Sequence, residues 1–214
     1  ECVSLDFTPQ GWHLDLDRLL AALTPDTKML IVNSPNNPTG WTLNRDEQVA
    51  ILARCRQHGI WLLSDDAYER MVFGEAGSAP SFFDISDAND RLVSANTFSK
   101  SWLMTGWRLG YTAAPKPLAD AIEKIQNHTI SNANSFSQYG ALAALEGDQS
   151  FIDDLRGEYD VKRQFMFARL KAIQNIRVVE PQGAFYFFVY TGKTGLKSTN
   201  LCDKLLSRYK VAAV

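Results

Sequence analysis

Three short runs of mostly apolar residues constrain this chain more than any other feature: Met29-Leu30-Ile31-Val32, Ile60-Trp61-Leu62-Leu63 and Leu92-Val93-Ser94-Ala95. Each is too short for a buried helix and lacks strict apolar–polar alternation. Each therefore reads as a strand covered on both faces. Between the first two lies a helical pattern over about Arg45 to Gln57. Asn44 can cap it, Glu47 stands at the capping-box position, and Gly59 follows its end. Strands separated by helices predict an α/β fold with a mostly parallel central sheet flanked by helices.

Beyond Pro117 the pattern turns helical, with segments expected over about Pro117–Gln126, Ser135–Leu145, Ser150–Ile173 and Thr199–Tyr209. Arg177-Val178-Val179 and Ala184 to Val189 read as strands around Pro181-Gln182-Gly183. This predicts a large domain over residues 1–150, then a connecting helix and the start of a smaller α+β domain over residues 151–214.

The positions of the strand ends carry the functional argument. The three strands run out, in order, at Asn37, Asp65 and Lys100. Carboxyl ends of parallel strands in an open sheet are where ligands bind. Lys100 sits in Thr97-Phe98-Ser99-Lys100-Ser101, with Arg108 eight residues on. An amine forms a Schiff base with an aldehyde, while hydroxyls and a guanidinium grip a phosphate. One cofactor carries both groups: pyridoxal 5'-phosphate (PLP). Its ring nitrogen needs an anion, which Asp65 or Asp66 can supply; Asp65 is preferred because it leaves the strand first. Its phenolic oxygen needs donors, for which Tyr68 and Asn37 are candidates. Thr97, Ser99 and Arg108 are the candidate phosphate ligands.

Other chemistries find less support. A net charge of −2 leaves no basic footprint for nucleic acid, and no apolar run reaches membrane-spanning length. Cys2, Cys55 and Cys202 are far apart and odd in number, which points to free thiols in a reducing, cytoplasmic compartment. His13, His58 and His128 show no metal-ligand spacing. Gly192-Lys193-Thr194 lacks the earlier glycine of a phosphate-binding P-loop, because Phe187 stands there.

The runs Ser34 to Gly40, Ser64 to Glu69 and Ser99 to Tyr111 resemble the class I/II aminotransferases, the fold-type I PLP enzymes related to aspartate aminotransferase. The resemblance implies the Schiff-base role for Lys100 and the ring-nitrogen role for Asp65. It implies phenolic-oxygen roles for Asn37 and Tyr68, and phosphate roles for Thr97, Ser99 and Arg108; Thr97 stands where many members have serine. It further implies a homodimer, amino acid and 2-oxo acid substrates, and ping-pong kinetics, with a weak lean towards aspartate. Neither the family's glycine-containing phosphate loop with its ring-stacking aromatic nor its carboxylate-binding arginine has a counterpart here. A start at Glu1 without methionine and an apolar end at Val214 agree with a chain cut at both ends, expected to be inactive alone. Two alternatives remain: another fold-type I enzyme such as a C–S β-lyase, or the aminotransferase-like domain of a transcription regulator.

Overall fold

A computed structural model describes residues 2–214. The chain opens on an antiparallel hairpin of β1 (Asp6–Thr8) and β2 (Gly11–His13). Helix α1 (Leu16–Ala22) follows, capped by Asp15, whose carboxylate accepts the Arg18 N–H at 2.9 Å. Then come β3 (Met29–Asn33), α2 (Arg45–His58), β4 (Trp61–Asp65), β5 (Leu92–Thr97), the single turn α3 (Phe98–Ser101) and β6 (Gly110–Ala113). Helices α4 (Lys116–Thr129), α5 (Ser135–Glu146), α6 (Ser150–Lys171) and α7 (Ser198–Lys204) complete the order.

Strands β3, β4 and β5 pair in parallel, and β6 closes the far edge antiparallel to β5. The register puts Asn33 opposite Asp65 and Asp65 opposite Ala95, so β3 and β4 end level with one another and β5 runs on to Thr97. That alignment is what gathers the strand-end groups at one edge of the sheet.

Helix α2 covers one face of the sheet; on β3 Met29 and Ile31 stay exposed, so the expectation that this strand is covered on both faces is corrected. The α2 capping box forms as the sequence implies: Asn44 Oδ1 accepts the Glu47 N–H at 2.9 Å and Glu47 Oε2 accepts the Asn44 N–H at 2.8 Å. Gly59 ends the helix in the left-handed conformation, φ 65°. Ile51, Leu52 and Cys55 face the sheet and pack with Val32, Leu43, Ile60, Leu62, Phe82 and Leu92 into the main core. Each such aliphatic side chain contributes roughly 1.5–3 kcal/mol of burial. Burial, with Asp90 nearby, pushes the Cys55 thiol up to about 11, so it packs as a small apolar group.

Two expectations are corrected after α6. The strands expected at 177–179 and 184–189 are reduced to single bridges, Arg177 with Tyr190 and Val72 with Gly183. Ala184 has φ 57°, which an extended strand cannot contain. The helix expected over 199–209 is α7 followed by a π-helical turn, Leu205–Tyr209. Residues 210–214 are exposed and pair with no strand among the described residues. No helix among the described residues is long and apolar enough to cross a membrane.

Candidate active site

The turn after β3 is organised by two asparagines. Asn33 Nδ2 donates to the Asp65 carbonyl at 3.3 Å, tying β3 to β4. Asn33 Oδ1 accepts the Asn37 N–H at 2.7 Å and Asn36 Nδ2 at 3.2 Å. Asn36 Oδ1 in turn accepts the Thr39 hydroxyl at 2.7 Å. These bonds fix the backbone of Asn37 and leave its side chain exposed at the strand end, beside the Tyr68 hydroxyl.

Two adjacent carboxylates leave β4, and the structure separates them. Asp65 Oδ1 accepts the Ala67 N–H at 3.2 Å, a local turn bond that leaves its other oxygen without a protein partner among the described residues. Asp66 turns back between the strands and takes hydroxyl protons from Ser64 Oγ at 2.5 Å and from Ser94 Oγ. Burial raises Asp66 above the usual carboxylate range, and the two serine donors oppose that shift. Asp66 is thus engaged within the sheet, and Asp65 is the carboxylate open to a ligand. Burial likewise raises the neighbouring Glu69, against a hydrogen bond from Asn96.

Tyr68 is buried, and its hydroxyl lies 2.5 Å from the hydroxyl of Tyr186. Burial first, and then that hydroxyl, raise the Tyr68 phenol well above its ordinary value, so it keeps its proton throughout the neutral range. Lys100 Nζ lies 5.4 Å from the centre of the Tyr68 ring and 5.7 Å from that of Phe185. Among the described residues no carboxylate lies within ion-pair distance of Lys100 or Arg108.

The region after β5 is only partly assembled. Thr97 Oγ1 accepts the Ser99 N–H at 3.1 Å and donates to the Leu109 carbonyl at 3.2 Å, so it serves as the cap of α3. Ser99 is buried beside it. Arg108 is exposed in a left-handed conformation, φ 51°, and Nη1 donates to the Thr105 carbonyl at 3.1 Å. The structure therefore brings Asn37, Tyr68 and Lys100 together with Asp65 at the adjoining strand end. It leaves the Arg108 guanidinium hydrogen-bonded within its own loop, to the Thr105 carbonyl.

The sequence reading missed Phe185 and Tyr186 as site residues, taking their aromatic run for strand core. Phe185 packs edge-on to Tyr68 at 5.2 Å and stacks on Tyr159 of α6 at 5.3 Å. Their placement depends on tight docking of Gly183. A Cβ there would meet Pro35 Cβ at 2.7 Å and the Met71 carbonyl at 2.9 Å. The Gly183 and Ala184 N–H groups donate to Gly40 O at 3.0 Å and Met71 O at 2.8 Å. The signal available in the sequence was the glycine itself, in Gln182-Gly183-Ala184.

Comparison with known proteins decides the family: the model described as aminotransferase class I and II matches residues 2–214. The chain belongs to the class I and II aminotransferases. It is 38% identical over 213 residues to a probable aspartate/prephenate aminotransferase of Aquifex aeolicus, covering 96% of this chain and 53% of that protein. It is 36% identical over 208 residues to an aspartate aminotransferase of Thermotoga maritima, covering 97% and 53%. Among solved structures, an aromatic aminotransferase from Pyrococcus horikoshii superposes with a TM-score of 0.87 at 34% identity, covering 95% of this chain and 54% of that one. The chain thus has the fold-type I aminotransferase architecture and spans about half the length of these relatives.

Proposed function

We propose that the protein carrying this chain is a PLP-dependent aminotransferase that moves an amino group between an amino acid and a 2-oxo acid in a ping-pong cycle. The observation that carries the reading is the gathering of Lys100, which has no carboxylate partner among the described residues, with Asn37, Asp65 and Tyr68 at one edge of the sheet. The donor set fits the cofactor: an unpaired amine for its aldehyde, an open carboxylate for its ring nitrogen, an amide and a phenol for its phenolic oxygen. When bound, PLP supplies an aldehyde and a protonated ring that accepts electrons.

Asp65 holds the proton on the ring nitrogen. Tyr68, which keeps its own proton, donates with Asn37 to the phenolic oxygen. Ser99 and Arg108 hold the phosphate, with Thr97 shaping the turn beside them. Once an amino acid has displaced it, the Lys100 amine takes the proton from the substrate Cα. We include in the proposal a homodimer, a cytoplasmic location and a division between domains near residue 150. Aspartate is the favoured substrate, in line with the names of the relatives.

A half-reaction with the full-length protein tests this. Incubation with an amino acid alone should release one equivalent of 2-oxo acid per site and retain the amino group on the protein. Release of ammonia with pyruvate would reject transamination in favour of a β-lyase.

A further inference from the structure

We propose that Tyr186 is a positioning residue whose hydroxyl sets the direction in which Tyr68 donates its proton. The inference rests on the proposed PLP reading and extends it to a residue that follows α6. The Tyr68 hydroxyl has one proton and stands next to two groups, the Asn37 side chain and the Tyr186 hydroxyl 2.5 Å away. If Tyr68 gives its proton to Tyr186, nothing remains for a cofactor oxygen. If Tyr186 gives its proton to Tyr68, the Tyr68 proton is free for the ligand.

The charge of the ligand chooses between these. The phenolic oxygen of PLP is anionic when its aldehyde is linked to a lysine, and an anion is a stronger acceptor than a neutral phenol. Both protons then point the same way, from Tyr186 to Tyr68 and from Tyr68 to the anion. Each bond in such a chain strengthens the next. Among the described residues, no other side-chain hydrogen bond competes for the Tyr186 hydroxyl. The rings meet at 77° with centroids 5.7 Å apart, so the hydroxyls touch without stacking.

The fold holds Tyr186 in that place from both sides. Gly183 fits against Pro35 and Met71 where no side chain has room, and Ala184 is completely buried with φ 57°. Phe185 is fixed between Tyr68 and Tyr159. Tyr186 thus reaches the site from a segment 118 residues away from Tyr68 in the chain.

Its role predicts a spectroscopic effect. A weaker donor to the phenolic oxygen leaves more negative charge there, and that charge holds the proton on the neighbouring Lys100 nitrogen more tightly. The visible band of the full-length, PLP-loaded protein should therefore titrate at higher pH in Tyr186→Phe. A net neutral hydrogen bond of ordinary strength corresponds to an upward shift of about 0.5–1 pH unit. In a Tyr68→Phe background the same substitution should add nothing, because the relay is already cut.

The measurement is a spectrophotometric pH titration of wild type, both single variants and the double variant. Each is also reduced with borohydride to measure cofactor fixed on Lys100. Full labelling with an upward shift in Tyr186→Phe, absent in the double variant, supports the relay. Full labelling with no shift, a downward shift, or a shift that adds to that of Tyr68→Phe overturns it and leaves the PLP reading standing. Absence of any label on wild-type Lys100 overturns both.

Discussion

Gly183→Ala puts the docking of the 181–186 segment to a quantitative test. The added Cβ would lie 2.7 Å from Pro35 Cβ and 2.9 Å from both Pro35 Cγ and the Met71 carbonyl. Neither a proline ring nor a backbone carbonyl can rotate away as the tip of a flexible side chain can. The segment must back out, breaking the bonds from Gly183 to Gly40 and from Ala184 to Met71. Overpacking of this kind costs about 1–3 kcal/mol. For a unit of this size that lowers the melting temperature by roughly 2–12 °C. Gly157→Ala is the matched control. Gly157 lies inside α6 with nothing within 4 Å of its would-be Cβ, so the same methyl should stabilise the helix by about 0.5–1 kcal/mol. Thermal unfolding of the two variants, followed by circular dichroism, should show shifts of opposite sign. Gly183→Ala should also perturb the visible band of the bound cofactor through Tyr186 and Tyr68, and Gly157→Ala should not. A Gly183→Ala protein as stable as wild type, with an unchanged band, would refute the packing argument.

Other substitutions separate neighbouring roles. Asp65→Asn removes the anion proposed for the ring nitrogen and should slow turnover by about 10²–10³-fold. Asp66→Asn should leave turnover within an order of magnitude. Its signature lies in stability: the folded pKa of Asp66 is raised, so this group favours folding at low pH and opposes it as pH rises from the unfolded carboxylate value through the folded one. The variant should lose that part of the pH dependence, read by urea unfolding between pH 4 and pH 8. Arg56→Ala strands Asp90, whose side chain is 4% exposed and takes bonds from Arg56 Nε at 2.7 Å and Nη2 at 2.6 Å. The loss should be about 2 kcal/mol at neutral pH. Arg56 holds Asp90 below the usual carboxylate range, so the difference from wild type should close as acid protonates Asp90 in both proteins. Arg108→Lys keeps the charge and loses the bidentate grip, and should weaken PLP binding about tenfold, measured by equilibrium dialysis.

The parts of this fold that were legible in the sequence are those fixed by near neighbours. Asn44, Glu47 and Gly59 bound α2 through bonds within a few residues, and these appear as read. The runs before Asp65 and Lys100 are strands as their short apolar composition implies, with Leu62, Leu92 and Val93 buried and Trp61 and Leu63 half-buried. The preference for Asp65 over Asp66 came from strand order; that two serines on adjacent strands hold Asp66 required the sheet register. The reading of Thr97 as a phosphate ligand rested on its hydroxyl alone; that this hydroxyl also accepts the Ser99 N–H and donates to the Leu109 carbonyl came only from the fold. The largest gap is at Phe185 and Tyr186. Their aromatic run has strand composition, and only Ala184 at positive φ and the fit of Gly183 on Pro35 turn it into the site. Those are contacts across about 150 residues of chain, and no local pattern encodes them.

The central claim is that Lys100 holds the cofactor. Borohydride reduction of the full-length protein loaded with PLP, followed by proteolysis and mass spectrometry, should place a pyridoxyl group on Lys100 and abolish the visible band. Lys100→Ala should carry no such adduct. A pyridoxyl group on a different lysine, or an undiminished adduct in Lys100→Ala, would contradict the account.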